Sequence, residues 1–214
     1  MAHAFLSKPV IALDADGVLL DYNAAYAKLW GKVFGVLPAE RDPNAYWAMD
    51  RWSVEKLSGP RLEIFRASFD EQFWSRLPPV ATALEACFSL REAGYTLVCV
   101  SALQPRFENA RLRNLRDLGF PIERVIATGG SDAAGSSKKA AVSMLGCVAL
   151  VDDYLPNLAD LGPTVHTALI TRQPNGSPNI GPALSYVDSS HAQLADFARW
   201  WIRSAGDNVG SVSS

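Results

Sequence analysis

Residues 10–22 read Val10-Ile-Ala-Leu13-Asp14-Ala-Asp16-Gly17-Val-Leu-Leu-Asp21-Tyr22: a short apolar run that ends in two carboxylates, one residue apart, followed at once by glycine. Four apolar residues in a row, two of them Val or Ile, suit a strand buried on both faces. Asp-Gly favours a turn, so the chain is expected to leave the strand here. A turn alone does not require two acids. On extended backbone, side chains two positions apart project to the same side, and Asp14 and Asp16 can then share one site.

Further short runs rich in β-branched and apolar residues follow: Thr96 to Val100, Arg124 to Ala127, Val148 to Val151 and Thr167 to Thr171. Helical patterns separate them. One carries Leu84 and Phe88 and is closed by Gly94, a second runs between Pro105 and Gly119 through Phe107, Ala110, Leu112 and Leu115, and a third spans about 137–145, closed by Gly146. Strands alternating with helices of this length predict an α/β fold with a Rossmann-like, doubly wound parallel sheet. A last helix is expected from His191 to Arg203, with 206–214 as a flexible tail.

Residues 21–79 break the rhythm. They hold no convincing strand, yet carry more than half of the chain's aromatic residues. Tyr22, Tyr26 and Trp30 recur at helical spacing, as do Leu62, Phe65, Phe69 and Phe73. The expected organisation is a core of 1–20 and 80–205 with a small helical insertion at 21–79, which Pro78-Pro79 returns to the sheet. Most insertion aromatics are expected to form a core of their own, with two or three facing the sheet.

Composition narrows the function. The chain has 214 residues, 49% hydrophobic and 20% charged, with a formal net charge of -2. That offers no basic excess for a nucleic-acid polymer. No run approaches the ~18 apolar residues of a membrane span and no leader pattern opens the chain, so membrane attachment is not expected and a cytoplasmic location is. Cys87, Cys99 and Cys147 lie in or beside apolar runs without paired spacing and read as buried thiols. The Asn175-Gly-Ser177 sequon reads as a turn.

Chemistry gathers at strand ends. Asp14 and Asp16 follow the first strand, Ser101 the second, Lys138 and Lys139 open the helix after the third, and Asp152 and Asp153 follow the fourth. In a parallel sheet those ends share one crevice. Carboxylates about 4 Å apart repel by ~4 kcal/mol at an effective dielectric of 20, so Asp14, Asp16 and Asp153 together call for a cation. All-oxygen donors favour Mg2+. With a hydroxyl from Ser101 and an ammonium from Lys138 or Lys139, the set suits a phosphoryl dianion. Lys138 aligns with Val142 and Leu145 on the apolar helix face and is preferred over Lys139.

Other readings fit less well. An EF-hand needs a third acidic position before its glycine. Gly130 to Lys138 nearly spells a nucleotide-binding P-loop, but Ser136 stands where its lysine belongs. Receiver domains place the acidic pair early and the phosphorylated aspartate later, and no G-x-S-x-G elbow supports a Ser-His-Asp triad. His3, His166 and His191 are expected to be structural or surface residues.

In order and spacing, these residues resemble the four motifs of the haloacid dehalogenase-like superfamily of phosphohydrolases: Asp14-Ala-Asp16-Gly17-Val18, then Ser101, then Lys138 or Lys139, then Asp152-Asp153. The resemblance covers nearly the whole chain. It implies a Mg2+-dependent phosphatase acting on a small phosphomonoester through an aspartyl phosphate. Asp14 would be the nucleophile and a metal ligand, and Asp16 the acid and base with its backbone carbonyl on the metal. Ser101 and the lysine would hold phosphate, and Asp153, with Asp152 beside it, would complete the metal site. The insertion looks like the family's helical cap, which selects substrate, and the motif set with such a cap is also similar to the 5'(3')-deoxyribonucleotidase branch. A small phosphorylated substrate is therefore the expected partner, with a homodimer one open assembly. Phosphoryl transfer to a second substrate, other chemistry of the superfamily, and a non-catalytic receiver-like module that binds Mg2+ and phosphate remain alternatives.

Overall fold

The computed structural model describes residues 8–130 and 137–210, with side chains up to residue 204. His3, the stretch 131–136 of the P-loop-like sequence and the tail residues 211–214 lie outside the described residues.

In chain order the elements are β1 (Val10–Leu13), α1 (Tyr22–Phe34), α2 (Ala48–Arg51), α3 (Gly59–Ala67), α4 (Glu71–Trp74), α5 (Ala83–Glu92), β2 (Thr96–Ser101), α6 (Glu108–Asp117), β3 (Val125–Ala127), α7 (Lys139–Met144), β4 (Cys147–Asp152), β5 (His166–Ile170), β6 (Ser189–His191) and α8 (Leu194–Gly210). The six strands form one sheet in the order β3-β2-β1-β4-β5-β6, and every pairing is parallel. This is the expected Rossmann-like architecture. β1 is central, and the order reverses beside it, which opens a crevice at the strand ends.

Strand alternation explains why these runs are apolar throughout. Ile11 and Leu13 face one buried cluster with α5 and α8, while Ala12, Val98, Val100, Leu150 and Leu169 face a second, closed by Ala141 and Val142 of α7. Two elements near the end of the chain differ from expectation. His191 belongs to β6 rather than to the last helix, because an edge strand of Ser189-Ser190-His191 pairs through its backbone and carries no apolar signal. α8 begins at Leu194 and continues to Gly210, so residues 206–210, expected as tail, are helical.

Residues between β1 and α5 contribute no strand to the sheet and fold as α1 to α4. Tyr26, Leu29, Trp30, Ala48 and Phe65 make a separate core there, with Phe65 edge-on to Tyr26 at 5.3 Å and to Trp30 at 5.2 Å between ring centroids. The stripe from Leu62 to Phe73 is not one helix. It is broken at 68–70, where the Asp70 carboxylate accepts from the Phe73 N–H at 2.8 Å and starts α4. The insertion's two connections run side by side: Asp21 N donates to Pro78 O at 2.8 Å and Val80 N to Leu19 O at 2.9 Å. A second seam ties the insertion to the loop after β5, with Tyr46 N bonded to Asn175 O at 2.9 Å and Asn175 N to Asn44 O at 3.0 Å. No helix among the described residues is long and apolar enough to cross a membrane.

Candidate active site

The four sequence sites meet at the C-terminal edge of the sheet. Asp14 follows β1 directly, anchored by its N–H on Val151 O at 2.9 Å, and Ser101 and Asp152 are the last residues of β2 and β4. The chain then turns at Gly17, whose φ of 92° lies in the left-handed region. A methyl group there would fall inside the Asp153 carboxylate and the Arg172 guanidinium, so glycine is required by both backbone and space.

Lys138 precedes α7, is 0% exposed, and places Nζ on Asp14 Oδ1 and, at 2.5 Å, on Asp152 Oδ2. Lys139, one residue on, is exposed. Burial alone would drive the proton off Lys138, but Asp14 and Asp152 outweigh it and hold the ammonium charged well above the ordinary lysine range. Asp152 is further ordered by the Tyr154 N–H at 2.9 Å and by Asn157 Nδ2 at 3.1 Å and 3.2 Å.

Asp153 pairs with Arg172, whose Nε donates to Oδ2, and the Asp153 carbonyl accepts from Tyr46 Oη at 3.2 Å and Asn179 Nδ2 at 2.7 Å. The Arg172 guanidinium lies 4.4 Å from the Tyr46 ring centroid. Asp16 points to a different partner: Arg111 Nη2 donates to Oδ1 at 2.7 Å and Oδ2 at 3.0 Å.

Arg111, Arg172, Tyr46 and Asn157 are the site residues that sequence reasoning missed. Arg172 stands just past β5, where the strand-end rule that found the other sites also applies. Arg111 lies in α6 beside Ala110 and Leu115, and nothing in its sequence context marks it as buried. Tyr46, in an irregular loop, carries no sequence signal.

The metal expectation has a physical basis in the donor set. One ligand oxygen from each of Asp14, Asp152 and Asp153 lies within 4.8 Å of the others, all three residues being buried. Burial pushes the carboxyl of Asp152 up to about 7 and that of Asp153 up to about 6, despite Lys138 and Arg172 beside them. Lys138, Arg111 and Arg172 together fall one charge short of Asp14, Asp16, Asp152 and Asp153. A hard divalent cation fits this all-oxygen, electron-rich set. The Asp16 carboxylate, engaged by Arg111, is not among the three.

A cleft of about 720 Å³ lies between sheet and insertion. Asp14, Asp16, Ser101 and Asp153 lie at its base, and Arg66, Gln104, Arg106 and Phe107 contribute to its walls. Tyr22, Tyr46, Trp47, Phe69 and Trp74 of the insertion all line it, more than the two or three expected, because Tyr22 and Phe69 also pack on the insertion's own core.

No protein-family model matches the sequence, and no curated protein is significantly similar to it. Solved structures do match. A HAD (haloacid dehalogenase) family hydrolase from Deinococcus radiodurans R1, with bound phosphate and sodium, aligns over 89% of this chain and 93% of its own, at TM-score 0.59 and 18% identity. An L-2-haloacid dehalogenase aligns over 91% of this chain and 99% of its own, at 0.59 and 18%. A predicted phosphoglycolate phosphatase from Haemophilus somnus 129pt aligns over 91% and 98%, at 0.59 and 16%.

Proposed function

We propose that this chain, which has the fold of the haloacid dehalogenase-like hydrolases, is a Mg2+-dependent phosphatase that hydrolyses a small phosphomonoester through a phosphorylated Asp14. The observation that carries this reading is the buried group of Asp14, Asp152 and Asp153 with Lys138 bridging two of its members.

Asp14, Asp153 and Asp152 would hold Mg2+ with the Asp16 carbonyl, and the bound ion would neutralise charge on the phosphoryl group. The free oxygen of Asp14 attacks phosphorus and the ester oxygen departs. Asp16 protonates that oxygen as it leaves, then takes a proton from the water that cleaves the acyl phosphate. Inorganic phosphate leaves and Asp14 is restored. The Lys138 ammonium supports the Asp14 side of the site, and the Ser101 hydroxyl, buried at the end of β2, donates to a phosphoryl oxygen. Residues 21–79 act as a cap over the leaving group. The aromatic walls favour a leaving group with a planar apolar part, and a nucleotide is the finer form of this proposal.

Dehalogenation by the same fold is the competing reading. A halide leaves without a proton, so neither an acid two residues past the nucleophile nor a cation site of three buried carboxylates would have a task there. The test is turnover of an aryl phosphate by wild type and Asp14→Asn, with MgCl2 or EDTA, measured as free phosphate beside halide release from a 2-haloacid. Phosphate release that needs both Mg2+ and Asp14 is expected. Equal rates in the two proteins, or halide release alone, would sink it.

A further inference from the structure

Arg111 is the largest fully buried side chain among the described residues. Its Nη2 donates to both oxygens of Asp16, whereas its Nε and Nη1 are buried without an acceptor among the described residues. Its Cζ lies 5.2 Å from the centroid of the Trp74 ring. Leaving buried N–H groups unmet is unfavourable, and a well-packed apolar residue in place of a buried ion pair is often neutral or stabilising. Fold stability therefore does not account for an arginine here. Its single acceptor residue is Asp16, 95 positions away in sequence, whose side chain is 29% exposed toward the cleft.

The arrangement continues into the insertion. Trp74 is the last residue of α4, and α4 packs against α6, where Glu71 pairs with Arg113. Asn114, one turn from Arg111, bonds both the N–H and the carbonyl of Leu77 at 3.0 Å. The end of the insertion is thus seated on the helix that carries Arg111.

We propose that Arg111 is a positioning residue for Asp16, and that Trp74, stacked on its guanidinium, makes the placement of that carboxylate depend on how the insertion is seated. This rests on the phosphatase reading, in which Asp16 must reach the ester oxygen. An aspartate free to turn about two side-chain torsions spends part of its time out of reach. Arg111, gripping both oxygens from a rigid helix, removes that freedom, and the aromatic face holds the guanidinium plane. Displacing the insertion withdraws Trp74 and loosens the grip.

A kinetic double-mutant cycle on the full chain with Mg2+ tests this. A positioned acid–base group contributes about 10²–10⁴-fold. Arg111→Lys, which keeps the charge but loses the planar guanidinium over Trp74, should lower kcat about 10-fold, and Arg111→Met about 100-fold, with KM within about threefold. In an Asp16→Asn background neither should change the residual kcat. Trp74→Phe, which leaves Arg111 in place and so guards against a misfolded arginine variant, should lower kcat less than Arg111→Lys; that loss in kcat should disappear beside Asp16→Asn, whereas any effect of its place in the cleft wall should appear as the same change in KM in both backgrounds. Losses of the same fold in both backgrounds would assign Arg111 a purely structural role and overturn the proposal while the phosphatase reading stands. A wild type with no Mg2+-dependent phosphate release would overturn that reading, and this inference with it.

Discussion

Replacing Lys138 by Met tests the charge balance of the site most directly. The variant keeps the volume of the stem but removes the cation between Asp14 and Asp152. Their ligand oxygens lie within 4.8 Å of one another, where two unit charges repel by about 3.5 kcal/mol at an effective dielectric of 20. Breaking a buried ion pair from one side costs about 3–5 kcal/mol in measured cases, which agrees with that figure. Urea unfolding at pH 8 in EDTA should therefore show Lys138→Met less stable by about 3–5 kcal/mol. MgCl2 at a hundredfold excess over its dissociation constant should restore about 2.7 kcal/mol.

The deficit should also narrow on acidification. Burial raises the Asp152 carboxyl to about 7 even with Lys138 lowering it, so without Lys138 it is raised further, and the folded variant binds more protons than the unfolded chain from about 4 up to at least about 7. Stability from this group is complete below that window and is lost as pH rises through it. Lys139→Met, at an exposed position, should stay within about 0.5 kcal/mol of wild type. A Lys138→Met protein as stable as wild type in EDTA at pH 8, or a larger loss in Lys139→Met, would refute the reasoning.

Gly17→Ala should abolish phosphatase turnover and lower stability by at least about 1–2 kcal/mol, since the left-handed φ alone costs that much and the new methyl group displaces Asp153 and Arg172; a variant with wild-type kcat and melting temperature would contradict it. Asn114→Leu should strip two buried backbone groups of Leu77 of their partners and cost about 2–4 kcal/mol, read as a fall in melting temperature of roughly 2–4 °C per kcal/mol; an unchanged melting temperature would show that the seam is not needed. His166 and His191 both bond Ser189 Oγ, at 2.8 Å and 2.9 Å, and burial lowers both imidazole pKa values below 6.5. The unfolded chain then takes up protons first, so stability should fall as pH drops below about 6.5, and His166→Gln should flatten that slope in a pH series of melts. An unaltered slope would show that His166 does not contribute to it.

Much of the fold was legible because strands buried on both faces must be apolar along their whole length, and the runs at β1, β2 and β4 show this without ambiguity. β6 was not, since three polar residues at a sheet edge are recruited by backbone pairing that leaves no mark on side-chain type. The break between α3 and α4 was hidden for the converse reason. Phe65, Phe69 and Phe73 keep helical spacing across the turn because all three pack on one aromatic cluster, whichever backbone carries them.

The convergence of Asp14, Asp16, Ser101, Lys138 and Asp152-Asp153 is legible in the sequence, because each lies at a strand end or at the head of the helix that follows one, and a parallel sheet brings those ends to one edge. Which charges neutralise which could be decided only by tertiary structure. Arg111 reaches Asp16 because α6 packs between the insertion and the sheet edge, and Arg172 reaches Asp153 because Gly17 leaves room for both. Lys138 differs from Lys139 only in facing inward, a difference of one step around a helix. Chemical type and strand position are local properties that a sequence displays. Pairing across 95 residues depends on how rigid elements dock, and that is settled by the packing of the whole core.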